Sequence, residues 1–356
     1  MSAQVDSVAS PLDMARAAYR GISLYAPDRS PCAIDLSDNT NLFGVPPVAL
    51  SVLRRAEEAT ISRYPSLYAP ALKEALAAYR EVDPSQVVTG CGSDDVLDSA
   101  VRAFAEPGDL VAHPAPSFAM IPLFARMNGL RSIGVPLRPN YDIDADALLA
   151  TGARIIYICS PNNPTGTCAS DVSIRRVLDE AKGIVILDEA YAEFSGRNCL
   201  ADVAGHERLL VVRTLSKAFG LAGLRIGYAT GRAALVSEVE KSRGPYKVNA
   251  LAESAGVAAL TEDREWVARH VATAVRNRES FAIALRALGL FAIPSSANFL
   301  LVPIRDAQKI AAHLRRAGVA VRPMTGLPLV GDALRISIGP WPMMERALVA
   351  LRAAIQ

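Results

Sequence analysis

Seven short apolar runs, at about 86–89, 109–112, 131–135, 154–159, 183–187, 209–213 and 226–229, alternate with stretches of helical periodicity. Strands that read as continuous Val, Ile and Leu are buried on both faces, and such strands belong to parallel sheets whose crossovers are helices. The alternation predicts an α/β chain with a mostly parallel, doubly wound seven-stranded sheet flanked by helices. A helical stretch over 236–290 follows, then strand-like 298–304 and 334–338 and helices at 306–317 and 341–355. A length of 356 residues suits two domains. The expected division is a large domain over 45–240 and a smaller α+β domain made of 1–44 and 241–356, with Pro46-Pro47 and Gly244-Pro245 as hinges.

Open α/β sheets bind ligands beyond the carboxyl ends of their strands, and four of these ends carry chemistry. Ile184-Val185-Ile186-Leu187 stops at Asp188, followed by Glu189-Ala190-Tyr191. A carboxylate there suits a protonated pyridine nitrogen, and Tyr191 suits the ring hydroxyl; a helix N-cap is the structural alternative for Asp188. Arg154–Cys159 runs into Ser160-Pro161-Asn162-Asn163-Pro164-Thr165-Gly166, a proline-stiffened turn that aims the Asn163 amide at the same edge. Gln86–Thr89 leads into Gly90-Cys91-Gly92-Ser93-Asp94-Asp95 and a helix from about Val96 to Ala105, whose first N–H groups can meet an anion. This turn is neither a Walker loop nor a dinucleotide fingerprint. In Thr214-Leu215-Ser216-Lys217-Ala218-Phe219-Gly220-Leu221-Ala222-Gly223-Leu224-Arg225, one lysine stands among small and apolar residues. Desolvation lowers such a lysine's pKa and frees its amine to attack a carbonyl, with Ser216 and Arg225 at hand to hold a phosphate. A surface lysine in a small-residue turn is the alternative. An imine-forming amine beside an anion clamp is what pyridoxal 5'-phosphate requires.

Taken in this order, Gly90–Asp95, Ser160–Gly166, Asp188–Tyr191 and Ser216–Arg225 resemble the fold type I pyridoxal-phosphate aminotransferases. Within them the chain is most similar to the histidinol-phosphate aminotransferase family, from about Tyr25 onward. Arg63-Tyr64-Pro65, Ser160–Gly166 and Arg213–Phe219 are the most specific segments. The resemblance implies that Lys217 holds the cofactor as an imine and shuttles the proton. It implies that Asp188 binds the ring nitrogen, that Asn163 and Tyr191 bind the ring oxygen, and that Phe118 stacks on the ring. Ser216, Arg225 and the backbone of Ser93 and Asp94 would hold the cofactor phosphate. Tyr64 would reach the phosphate of the neighbouring subunit, making the active site the property of a homodimer.

Leu334-Arg335-Ile336-Ser337-Ile338-Gly339 alternates like a half-buried strand and turns one arginine inward. In the resembled enzymes that arginine forks onto the substrate α-carboxylate, which lysine cannot reproduce. The family associates positions matching Arg322 and Tyr25 with the phosphate of histidinol phosphate; a solvated charge is the alternative for Arg322. The family's N-terminal signature usually reads Asn-Glu-Asn-Pro, whereas this chain has Asp38-Asn39-Thr40-Asn41-Leu42-Phe43-Gly44. That loop lies close to the substrate in the family, which puts Asn39 among the substrate-binding residues.

A net charge of +2 gives no electrostatic case for nucleic acid. Five cysteines without a CxxC suggest reduced thiols in a cytoplasm, and Cys91 and Cys159 read as packing residues. His113, His206, His270 and His313 lack ligand spacing, so no metal site is expected. No signal pattern and no apolar run long enough for a bilayer is evident. The expected reaction is a ping-pong transamination between a small-molecule amino donor and a 2-oxo acid: L-histidinol phosphate and 2-oxoglutarate giving imidazole-acetol phosphate and L-glutamate. An aromatic amino acid aminotransferase, a threonine-phosphate decarboxylase and a non-enzymatic pyridoxal-phosphate-binding protein are the alternatives.

Overall fold

Branched aliphatic residues occupy every face of the sheet's middle. In the computed structural model, which describes residues 14–24, 26, 28, 30–196 and 205–355, the strands in chain order begin with β1 (Ile34–Asp35), β2 (Val87–Cys91), β3 (Leu110–Ala115) and β4 (Arg131–Pro136). They continue with β5 (Ile155–Cys159), β6 (Ile184–Asp188), β7 (Leu209–Thr214) and β8 (Ile226–Gly231). β5 to β8 are buried at every position. All seven expected strands join one sheet in the order β2-β8-β7-β6-β5-β3-β4, with β8 antiparallel to both neighbours and every other pair parallel. β4 forms one edge, exposed along most of its length and closed by Pro136, as suits a strand that must not recruit another.

The winding reverses between β3 and β5, the place where such sheets open a crevice. Pairing there is confined to Val111–Ile155 and Ala112–Ile156. Pro114, which has no N–H to donate, lies beyond that pairing. On the opposite side the helix Gly92–Phe104 starts hard against β8. A Cβ on Gly227 would overlap the backbone of Gly92 and Ser93, and Gly92 N–H donates to the Arg225 carbonyl at 2.9 Å. The helix begins four residues before the expected Val96. Its first turn, Gly92-Ser93-Asp94-Asp95, shows no apolar period, yet acids there face the positive helix end. Val96, Leu97, Ala100 and Val101 then pack into the sheet's core.

The second sheet is three-stranded and antiparallel, in the order β11-β12-β9, from β9 (Phe299–Pro303), β11 (Arg322–Leu327) and β12 (Gly331–Ser337). β11 was not expected: Arg-Pro-Met-Thr-Gly-Leu is half-buried with two exposed positions and shows no period of two. Helices Arg264–Ala287, Ala307–Arg316 and Trp341–Ile355 enclose a core that includes Phe281, Leu285, Leu300, Leu314, Ile336 and Met344. β1 pairs in parallel with β10 (Val319–Ala320). Leu36 N–H then bonds Ala320 O at 2.8 Å, and Ser337 N–H bonds Leu36 O at 2.9 Å. The N-terminal segment is thereby laid against the small sheet and delivered to the large one. No helix among the described residues is long and apolar enough to cross a membrane.

Because the overlap at Gly227 is with backbone, no rotamer relieves it. Gly227→Ala should destabilise the protein by about 3 kcal/mol, measured by chemical denaturation of the cofactor-free protein.

Candidate active site

The carboxyl ends of β2, β3, β5, β6 and β7 open into a cleft of about 500 Å3. Ser93, Asp94, Phe118, Asn163, Asp188, Tyr191, Ser216, Lys217 and Arg225 all line it, as do Asn39, Arg322 and Arg335. Two expected residues stand apart. Tyr64 is 86% exposed and packs against Tyr246 at 5.2 Å between ring centroids, outside its own chain's cleft. Tyr25 lies outside the described residues.

Asp188 closes β6 with 3% of its surface exposed. Tyr157 Oη donates to its Oδ2 at 2.7 Å and Ala190 N–H to its Oδ1 at 3.0 Å. Burial outweighs both bonds and pushes its pKa up to about 6. Lys217 shows the opposite displacement. Burial, aided by the positive Arg335, pushes its pKa down to about 8, so roughly a tenth of the amine is unprotonated at pH 7. Its Nζ donates to the Asp38 carbonyl at 3.3 Å and lies 5.9 Å from the Tyr191 ring centroid. Tyr191 is itself fixed by an edge-on contact with Phe299 and by Asn39 Nδ2, which donates to its Oη at 3.2 Å. Burial pushes the Tyr191 hydroxyl up to about 12, so it stays a proton donor.

The anion end is built from backbone and glycine. Gly92 sits at φ +81, and a Cβ there would run into the Arg225 guanidinium. Arg225, itself left-handed at φ 54, reaches Asp94 Oδ2 at 3.4 Å. Ser216 is held in the strand-end turn by Thr214 Oγ1, which donates to Ser216 Oγ at 2.9 Å. A helix start, two hydroxyls and a guanidinium thus frame a small concavity. Beside it are a buried acid awaiting a cation and an amine poised to lose its proton. This donor set fits pyridoxal phosphate: Asp188 for the ring nitrogen, the concavity for the phosphate, Lys217 for the carbonyl carbon.

Another wall of the cleft comes from the small sheet. Arg335 Nη1 donates to Asn163 Oδ1 at 2.8 Å, Nη2 donates to the Ser37 carbonyl at 2.8 Å, and the guanidinium lies over Phe299. Asn163 spends its acceptor on that bond, and its NH2 is the end able to donate into the cleft. Arg322 is the register partner of Arg335 across β11 and β12, and its Nη2 meets Asp38 Oδ1 at 2.9 Å. Asn39 takes φ 55, a conformation asparagine tolerates better than most residues. Ser337 Oγ accepts its N–H at 2.8 Å, and Asn298 donates to its carbonyl at 2.9 Å.

Sequence reasoning missed Tyr157, Asp38 and the supporting Asn41, whose Nδ2 donates to Ala218 O at 2.9 Å beside the lysine. A tyrosine inside the otherwise aliphatic Ile155-Ile156-Tyr157-Ile158 was the available signal for the first. The other two needed the contact between distant segments. Behind the cleft, Glu189 Oε2 accepts from Arg213 Nε at 2.8 Å and Nη2 at 2.6 Å, tying the Asp188–Tyr191 turn to β7. Burial alone would lower the Arg213 pKa, but Glu193 and Glu189 hold it above its usual value.

Fold and site together define a pyridoxal-phosphate-dependent aminotransferase. The chain belongs to the aminotransferase class I and II family, whose model matches residues 32–351. It is 38% identical over 312 residues to the histidinol-phosphate aminotransferase of Methylibium petroleiphilum, covering 85% of this chain and 84% of that one. It is 33% identical over 337 residues to that of Ruminiclostridium cellulolyticum, covering 92% and 94%. The crystal structure of histidinol-phosphate aminotransferase from Sinorhizobium meliloti in complex with pyridoxal-5'-phosphate aligns with a TM-score of 0.87 at 25% identity over 98% of each chain.

Folded Asp188 holds its proton more tightly than the unfolded chain, whose value is 3.8. Its contribution to stability is complete below pH 3.8 and is lost as pH rises through about 6. In the cofactor-free protein, Asp188→Asn should therefore stabilise the fold at pH 7.5 by about 2–3 kcal/mol, and the gain should shrink toward pH 4.5. The same variant should bind the cofactor at least tenfold more weakly. Thermal unfolding at the two pH values and a cofactor titration check both statements.

Proposed function

We propose that this aminotransferase acts on L-histidinol phosphate, with 2-oxoglutarate as acceptor, and returns imidazole-acetol phosphate and L-glutamate. The observation that carries the reading is the pair Arg322 and Arg335, side by side on adjacent strands and facing the same cleft as Lys217. Two guanidiniums suit a phosphate dianion, and one of them suffices for the α-carboxylate of glutamate in the second half of the cycle. The names of the relatives above support the same substrate.

In this reading pyridoxal phosphate, when bound, supplies the electron sink and carries the amino group between the two substrates. Asp188 holds the ring nitrogen in its protonated form. Asn163 and Tyr191 donate toward the ring oxygen, and Phe118 covers the ring face. Ser216, Arg225 and the backbone of Ser93 and Asp94 retain the phosphate. Lys217, with its lowered pKa, takes the proton from the substrate α-carbon onto Nζ and gives it back on the other side of the transfer. Transamination of aromatic amino acids is the second reading, favoured by the ion pair that already engages Arg322 with Asp38.

The assembly we propose is a homodimer in which Tyr64 serves the partner's cofactor phosphate. Ile61, Leu67, Tyr68 and Tyr246 are exposed around Tyr64. An adjoining hollow of about 610 Å3 is walled by Val52, Pro70, Ala71 and Val257. In it Ser66 Oγ bonds Glu253 Oε2, while Glu253 Oε1 is buried with no hydrogen-bond partner among the described residues. A second copy would cover the apolar surface and bring a donor to that oxygen.

Mixing the purified holoenzyme with L-histidinol phosphate, without acceptor, should convert one equivalent of cofactor to its amino form, read from its visible absorbance. Conversion by phenylalanine alone would transfer the assignment to aromatic donors. Lys217→Ala should stay folded and show no multiple turnover, while Arg335→Lys should lose tenfold or more in kcat/KM for glutamate. Light scattering should return twice the 37.8 kDa of the chain, and Tyr64→Ala should keep that mass while releasing cofactor several-fold faster.

A further inference from the structure

Arg322 and Arg335 are directly opposed across β11 and β12, and like charges so placed repel unless acceptors separate them. Two Arg335 nitrogens donate to neutral groups, the Asn163 amide and the Ser37 carbonyl. Arg322 is met by a full negative charge, Asp38 Oδ1 at 2.9 Å. Both partners line the cleft, and with side chains 21% and 20% exposed both remain in contact with solvent. Water reaches both ends of the pair, so a ligand's anion can compete for the same guanidinium. A phosphate ester brings nearly two charges and several acceptor oxygens to the same guanidinium, and the paired oxygens match its fork.

The backbone around Asp38 is anchored independently of its side chain. Asp35 Oδ1 accepts from Ser37 N and Oγ, at 2.9 and 2.6 Å. Asn39 is bonded through its N–H to Ser337 and through its carbonyl to Asn298. The Asp38 carbonyl accepts from Lys217 Nζ. The backbone anchors on either side of Asp38 therefore do not depend on its pairing with Arg322.

We propose that Asp38 sets the anion selectivity of the cleft, its carboxylate acting as an internal competitor that yields Arg322 only to a ligand carrying a stronger anion. This rests on the histidinol-phosphate reading for its natural ligand and on the ion pair for its geometry. A donor without a phosphate meets a neutralised wall, because Asp38 keeps Arg322. A phosphate-bearing donor displaces the carboxylate and gains both arginines, against the repulsion of the displaced charge. The carboxylate thus costs affinity for phosphate in exchange for tolerance of uncharged side chains.

The test compares the wild-type holoenzyme with Asp38→Asn, which keeps the shape and removes the charge; the bound cofactor's spectrum reports that the variant is folded and loaded. Half-reactions are measured with L-histidinol phosphate and with L-histidinol, which differ only in the phosphate. Inhibition by inorganic phosphate is measured against L-glutamate. The ratio of KM for histidinol phosphate to KM for histidinol should fall at least fivefold in the variant, and the inhibition constant of inorganic phosphate should fall with it. A ratio that stays or rises would mean that Asp38 merely steadies Arg322, and the proposal is overturned. If wild type does not convert histidinol phosphate, the substrate reading fails on its own. The phosphate inhibition constant then decides alone: lower in Asp38→Asn, the competitor stands; unchanged or higher, it falls.

Discussion

The ionised carboxylate of Asp188 has almost no access to water, and hydrogen bonds from Tyr157 and Ala190 do not make good the lost solvation. A buried acid of this kind is tolerable when its surroundings are fixed and a cation is supplied. The neighbouring elements meet the first requirement. β5 brings Tyr157 to it, and the Arg213–Glu189 pair holds the turn that follows. Asn39 and Phe299 hold Tyr191, three residues on. In the proposed reading the second requirement is met by the cofactor's ring nitrogen, so the same burial sets the affinity for the cofactor. Lys217 mirrors this arrangement, because the loss of solvation that raises one pKa lowers the other.

Much of this was legible in the chain because parallel strands advertise themselves. β5, β6 and β7 are largely aliphatic runs, each ends in a change of residue type, and cleft-lining residues stand at or within a few positions of each end. Lys217, Asp188 and Asn163 follow from that reasoning together with the resemblance of their motifs. The start of the helix at Gly92 was hidden because its first turn is polar and held by dipole and glycine geometry rather than by an apolar stripe. β11 was hidden because a half-buried strand containing proline and glycine shows no alternation, although it carries Arg322. Tyr157 was overlooked as core, since its hydroxyl finds a purpose only once β5 and β6 are paired.

Asp38 is a different kind of omission. Nothing within Leu36–Asn41 reveals that its carboxylate meets an arginine nearly three hundred residues later. The contact exists because β1 pairs with β10 and Leu36 continues across to β12. The N-terminal segment is in effect threaded between the two sheets, and its side chains are shared between them. Asn39 and Asn41 turn toward Tyr191 and the lysine loop, while Asp38 turns toward β11. The departure of this loop from the family's usual sequence therefore falls between the lysine loop and Arg322.

Lys217 and Arg225 belong to one closed loop. β7 and β8 are antiparallel neighbours, Leu215 N–H bonds the Ile226 carbonyl at 3.0 Å at the loop's base, and Leu221 N–H bonds back to Leu215 O at 3.0 Å. The distance from Lys217 to Arg225 is thus gauged by a single rung of the sheet, and one residue more or less would misplace both ends at once. Loop length is here as much a part of the catalytic apparatus as the amine. Arg322 and Arg335 hang from a separate, three-stranded frame. That division lets Arg322 or Arg335 be replaced without altering the spacing of Lys217 and Arg225.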